Sequence, residues 1–212
     1  MDANFWHSKW EKKEIAFHEA AANPLLLKYI KELGLAPGSR LFLPLCGKTL
    51  DIAWLLAQGY RVAGAELSKI AIDELFAGLA LTPTIVKIGE LEQYSAAHID
   101  IFAGDIFALS EAELGAVDAI YDRAALVALQ AELRHRYSAH LIKISHTAPQ
   151  LLVCYEYEQS AQAGPPFSVS PQELEQHYHE HYTLKLLADT PLAGGLKGKC
   201  AAQEQVWLLT PK

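Results

Sequence analysis

The chain has 212 residues, 51% of them hydrophobic, and a formal net charge of −7. That content suits one globular domain spanning 1–212 with a substantial core, and the acidic balance without a basic run argues against backbone-driven nucleic-acid binding. Three scattered cysteines, Cys46, Cys154 and Cys200, form no CxxC pair and fit a reducing compartment better than a disulfide framework.

The opening MDANFWHSKWEKKE is charged and aromatic, so no secretion leader is expected, and no apolar run reaches the roughly 18 residues of a membrane span. A soluble, cytoplasmic protein follows as the expectation. Residues 1–33 read as an N-terminal helical arm. LFLPL (41–45) is a short apolar run bounded by Pro37-Gly38 and Gly47, the pattern of a buried strand. Residues 48–59 carry Leu50, Trp54, Leu55 and Ala57 near helical spacing, with Gly59 placed to end the helix. RVAGAEL (61–67) predicts a second strand, and Ser68 an N-cap for a helix to about Leu79. Strand, helix, strand, helix with short connections argues for a parallel, doubly wound sheet.

Residues 81–97 are irregular, with TIVKI the one short strand candidate. Further strands are predicted at 98–107, 117–123 and 150–157, and a helical region at 125–147. GPPFSVSP (164–171) reads as a rigid loop. Ser170 and Pro171 open another helix, and 183–189 and 204–210 are closing strands. The expectation is one sheet of about seven strands.

Gly47-Lys48-Thr49 spells the end of a phosphate-binding loop, but the first glycine of that motif falls on Phe42 and Pro44 removes a donor. A dinucleotide site would want G-x-G-x-x-G, which PLCGKT lacks. Glu66 ends the second strand about 20 residues after the turn, where doubly wound folds place a carboxylate on ribose hydroxyls. By itself it reads first as a solvated strand-end carboxylate. A nucleoside with an amino-acid tail needs fewer glycines than a pyrophosphate does. Leu45, Glu66, Ile106 and Arg123 stand at four strand ends, where such sheets bind ligands. Arg123 could serve a ligand carboxylate, or pair with Asp122 or Asp105. His177-Tyr178-His179-Glu180-His181 spells a zinc-protease letter pattern without an evident third ligand, and no metal is expected.

FWHSKWEKKEIAFH, PLCGKTLDIAWLLAQGYRVAGAELS, YDRAALVAL, RHRY and GPPFSV, in this order, resemble the thiopurine S-methyltransferase family. The resemblance implies a Rossmann-like methyltransferase fold with a seven-stranded, mostly parallel sheet. It implies S-adenosylmethionine as methyl donor and a thiol or related soft nucleophile as acceptor; for bacterial relatives that includes selenium and tellurium compounds. The family's cofactor contacts map onto Trp10, Leu45, Glu66, Ile106 and Arg123, and Phe17 matches an aromatic position near donor and acceptor. Arg123 is also a candidate for the acceptor side. Thr49, Ile106 and Gln130 depart from the family's usual residues; Gln130 leaves the loop after the fourth strand less defined. Heteroaromatic thiols ionise readily, so no single side chain is expected to be an indispensable base. Trp6, Trp10 and Phe17 either pack as core or form a lid over a sulfonium. Methyl transfer to halide, oxygen or nitrogen acceptors, and a non-catalytic nucleoside-binding module, are the alternatives. A monomer is expected.

Overall fold

The structure, a computed structural model, describes residues 3–212; Met1 and Asp2, the start of the expected arm, lie outside the described residues. In chain order the elements are α1 (Ala3–Glu11), α2 (Pro24–Tyr29), β1 (Arg40–Leu43), α3 (Leu50–Ala57), β2 (Arg61–Glu66), α4 (Lys69–Gly78), β3 (Thr84–Ile88), β4 (Leu91–Ala96), β5 (Ile99–Ala103), α5 (Glu111–Leu114), β6 (Ala119–Arg123), α6 (Ala131–Ile144), β7 (Gln150–Tyr157), α7 (Pro171–Tyr178), β8 (Tyr182–Pro191) and β9 (Ala202–Pro211).

One sheet runs β3-β4-β5-β2-β1-β6-β7-β9-β8. Its five central strands, β5 to β7, are parallel, and an antiparallel pair extends each edge. The centre of the sheet is apolar because helices cover both faces. Leu26, Ile52, Leu55, Ile72 and Phe76 bring α2, α3 and α4 onto one face. Leu114, Tyr137, Leu141, Leu174 and Tyr178 bring α5, α6 and α7 onto the other.

The sheet has nine strands, not the expected seven. The additional pair is the β3–β4 hairpin, in the segment read as irregular apart from TIVKI. β3 is almost wholly exposed, with Ile85 and Val86 both 52% accessible, and β4 carries Glu92, Gln93 and Ser95. An edge hairpin of this kind has little apolar signal, since only Leu91 and Tyr94 of β4 are buried and the remainder is held by ladder hydrogen bonds.

Local chemistry sets the helix ends. Ser68 Oγ accepts from the Ala71 N–H, and Ser170 Oγ from the Glu173 N–H. After α3, Gly59 adopts φ +83 and the N–H groups of Gly59 and Tyr60 donate to the Leu56 and Leu55 carbonyls, closing a Schellman turn. The arm contains α1 and α2, with residues 12–23 between them not helical. Along the sheet, β1 is flanked by β2 on one side and β6 on the other. The chain therefore leaves β1 in one direction and returns on the opposite side, which opens a crevice at the carboxyl ends of β1 and β6.

Candidate functional site

The first wall is the turn after β1. Leu45 lies at φ +47 and Gly47 at φ +54. The left-handed conformation costs a leucine about 1–2 kcal/mol, so the surrounding contacts impose it. A side chain at Gly47 would be strained at this φ and would press on the Trp10 ring, which lies 3.0 Å from where a Cβ would stand. Lys48 Nζ pairs with Glu74 of α4 at 2.6 Å, and Thr49 Oγ1 caps α3 through the Asp51 N–H. The Gly-Lys-Thr triplet thus starts a helix and gives its lysine to a carboxylate, which is not how a phosphate cradle is built.

Glu66 forms the second wall. It is 6% exposed, Oε2 accepts from the Gly47 N–H and Oε1 from the Ser68 N–H, each at 2.7 Å. Burial pushes its carboxyl up from the usual range, while the N–H groups of Ser68, Gly47 and Leu67 pull it back. Each oxygen keeps acceptor capacity for a further donor. Close behind, Gly64 leaves room for Ile101 and Cys46, whose atoms would stand at 2.7 and 2.8 Å from a Cβ. Cys46 is buried and its thiol is pushed well up, so it is small packing rather than a nucleophile.

Arg123 ends β6, and Ala124 after it turns at φ +61. Its guanidinium pairs with Glu19 of the arm and donates to the Phe17 carbonyl at 3.2 Å. The anticipated pairing with Asp122 or Asp105 does not form. Asp105 caps the Phe107 N–H, and Asp122 faces the other side of the sheet, accepting from Tyr137 Oη at 2.7 Å and from the Leu126 N–H at 3.1 Å. The arm closes the crevice from above. The rings of Trp6 and Trp10 meet Phe17 edge-on, with centroids 5.9 and 5.5 Å apart. A second tie comes from Asn23, whose N–H donates to Asp51 Oδ1 at 2.6 Å.

Together these walls enclose a cavity of about 1010 Å³, ample for a nucleoside with an amino-acid tail and a small aromatic acceptor. Trp10, Phe17, Leu45, Glu66 and Arg123 all line it. Ile106 does not: its side chain is 2% exposed within the core, and its carbonyl is bonded by His140 Nε2 at 2.8 Å. Any contact from this position would be made by backbone. Sequence reasoning missed Asp51, Tyr121, Tyr155 and the Leu196-Lys197 loop, which also line the cavity. Tyr121 could have been found, since strand alternation puts it on the same sheet face as Arg123. The glycine-rich stretch around Leu196 carries no such signal. The GPPF segment closes the far end, where the Phe167 N–H donates to the Val127 carbonyl at 2.6 Å.

The histidine-rich segment lies elsewhere. His177 Nε2 is 3.1 Å from Glu173, and His179 Nδ1 bonds the Glu175 carbonyl. Among the described residues no group of three or more His, Cys, Asp or Glu is arranged to hold a metal ion. None of the described helices is long and apolar enough to cross a membrane.

Asp122 gives a stability prediction. Burial raises its pKa from 3.8 to about 6. The folded state therefore binds the proton more tightly than the unfolded state does. Above pH 6 the ionised carboxylate weighs against folding; below pH 4 it is neutral in both states. Between these limits its unfavourable contribution shrinks by about 3 kcal/mol as pH falls. Asp122→Asn removes this dependence. Denaturant titrations of both proteins from pH 4 to 8 should show a stability difference that shifts in favour of the Asn variant as pH rises; parallel curves would contradict the assignment.

A family model for thiopurine S-methyltransferase (TPMT) matches residues 1–211. The thiopurine S-methyltransferase of Xanthobacter autotrophicus is 54% identical over 210 residues, 99% of each chain, and that of Teredinibacter turnerae is 50% identical, over 99% of this chain and 98% of that protein. Among solved structures, a 1,6-didemethyltoxoflavin-N1-methyltransferase from Burkholderia thailandensis superposes with a TM-score of 0.66 at 16% identity, covering 98% of this chain and 87% of that one. A TehB-like SAM-dependent methyltransferase from Corynebacterium glutamicum gives 0.59 at 14% identity, over 99% and 98%. At such identities the likeness bears on fold alone.

Proposed function

The chain belongs to the thiopurine S-methyltransferase family and is an S-adenosylmethionine-dependent methyltransferase for thiol-type acceptors; from that premise we propose that the cavity under the arm is where donor and acceptor meet, with a heteroaromatic thiol as the acceptor. The observation that carries this reading is the buried Glu66 carboxylate, held by two backbone N–H groups at the rim of a cavity of nucleoside size.

The residues fit the donor. Glu66 would hold the ribose hydroxyls and Leu45 would pack on the nucleoside. A backbone group at Ile106 would meet the base edge, while Trp10 would cover the ligand where Gly47 leaves space. When bound, the donor supplies an electrophilic methyl group on a sulfonium. Aromatic faces such as Trp6, Trp10 and Phe17 favour a cation nearby and exclude water.

The acceptor side uses this chain's charges. A thiol reacts as its thiolate, and the Arg123 guanidinium favours that form electrostatically. His18 also lines the cavity, and burial together with the charges of Lys48 and Arg123 pushes its pKa down. At neutral pH the imidazole is therefore uncharged and able to accept a proton. For an acceptor already ionised it has little to do, in keeping with the expectation that no single side chain is an indispensable base. Positioning of two reactants can supply about 7–11 kcal/mol of barrier lowering. Residues 1–33 act as a lid on a single methyltransferase domain, and the protein works as a cytoplasmic monomer on a small-molecule substrate.

The test is a panel of acceptors with labelled donor: a heteroaromatic thiol, a phenol, an aniline, a halide and a selenol. S-Methyl product is expected, with a rate that follows ionisation of the thiol. Product only from the phenol, aniline or halide, or donor uptake without product, would contradict the reading.

A further inference from the structure

Glu19 and Arg123 both line the cavity, so their ion pair stands within reach of a ligand there. The Arg123 side chain is 12% exposed and that of Glu19 40%. A guanidinium carries five N–H donors, and the bonds of Arg123 to Glu19 and to the Phe17 carbonyl engage two of them. Glu19 Oε1 accepts from Arg123 and, at 3.3 Å, from Asn23 Nδ2, while Oε2 accepts from Asn23 Nδ2 at 3.2 Å. A carboxylate oxygen has two acceptor positions, so Oε2 keeps one for a further donor. Fastening the arm is a small part of what this pair can do. The Asn23 N–H already ties the segment to Asp51, and a partly exposed ion pair contributes only about 0–1 kcal/mol.

A cation with spare donors beside a carboxylate with a spare acceptor is the complement of an edge that offers an anion next to an N–H. A heteroaromatic thiolate with a ring N–H beside the C–S carbon has that edge, with its sulfur for Arg123 and its N–H for Glu19. A thiolate without the N–H sets a ring lone pair against the carboxylate and is disfavoured by it. We propose that Glu19 determines acceptor specificity by taking the ring N–H beside the reacting sulfur, while Arg123 takes the charge of the sulfur. This rests on the acceptor assignment above and narrows it, from heteroaromatic thiols in general to those with an N–H next to the thiol-bearing carbon. The N–H stays on the ring in this contact, and no proton moves to Glu19.

Two acceptors of nearly the same shape test this. Ionised 2-mercaptobenzimidazole keeps a ring N–H beside the sulfur; ionised 2-mercaptobenzothiazole has none. The ratio of their kcat/KM values, compared between the parent and its variants, cancels their intrinsic reactivities. Glu19→Gln retains an oxygen for Arg123 but turns an NH₂ toward the ring. The ratio should move toward the benzothiazole by about 10-fold or more, carried by a higher KM for the benzimidazole. Glu19→Asp, which retains the charge, should shift the ratio less. An unchanged ratio in the Gln variant would overturn the proposal. So would an equal loss for both thiols together with weaker S-adenosylhomocysteine binding, which would make Glu19 a fastening of the arm alone. If the parent methylates neither thiol, the acceptor assignment itself fails and this inference falls with it.

Discussion

Glu66→Gln should weaken S-adenosylhomocysteine binding by at least about 100-fold while the protein stays folded. The carboxylate is buried and takes an N–H into each oxygen, from Gly47 and from Ser68. A carboxamide can accept only at one end; its NH₂ would confront one of these donors. The charge is lost as well, and hydrogen bonds to a charged group contribute about 1.5–3 kcal/mol each. Two ribose hydroxyls on this carboxylate therefore account for a hundredfold change. Calorimetry measures the affinity, and melting without ligand separates site damage from unfolding. A folded variant with affinity within about threefold of the parent would mean that the ribose is held elsewhere. Glu66→Asp, which keeps the charge but retracts it, should fall between the two.

The second large effect is expected from the arm. Removing residues 1–17 deletes Trp6, Trp10 and Phe17 while leaving Glu19 and Asn23, which tie the following segment to Arg123 and Asp51. Trp10 is only 4% exposed and packs on the face that Gly47 leaves open. The rest of the core does not depend on these rings: the two large clusters of buried side chains on either side of the sheet contain none of them. Truncation should abolish measurable donor binding, with cooperative unfolding of the sheet retained. Trp10→Ala alone should cost about tenfold or more, in keeping with the loss of one buried aromatic face. Unchanged affinity after truncation would make the arm ordinary packing and remove the lid from the account.

The parts of the fold legible in the sequence are those where burial or local hydrogen bonding dominates. β1, β2, β6 and β7 are short apolar runs because helices cover both faces of the sheet. Ser68 and Ser170 announce helix starts because a cap acts within three residues. The β3–β4 hairpin was hidden for the opposite reason: Ile85 and Val86 face solvent, so no apolar periodicity marks it. In the site, strand-end position was enough to bring Leu45, Glu66 and Arg123 to one cavity, and the family resemblance added Trp10 and Phe17. Ile106 shared the strand-end logic but its side chain turned into the core, since the short helical turn after β5 redirects it. The partner of Arg123 was not legible, because Glu19 lies 104 residues away in sequence and no local pattern links them. Asp51 and Tyr121 read as interior residues of a helix and a strand. Only the three-dimensional arrangement shows that both line the cavity.

The most direct measurement is a crystal structure of the protein with S-adenosylhomocysteine. The account predicts the nucleoside under the arm, its ribose hydroxyls about 2.6–3.0 Å from the Glu66 carboxylate and Trp10 against the bound ligand. A nucleoside bound outside this cavity, or a ribose beyond hydrogen-bond reach of Glu66, would contradict it.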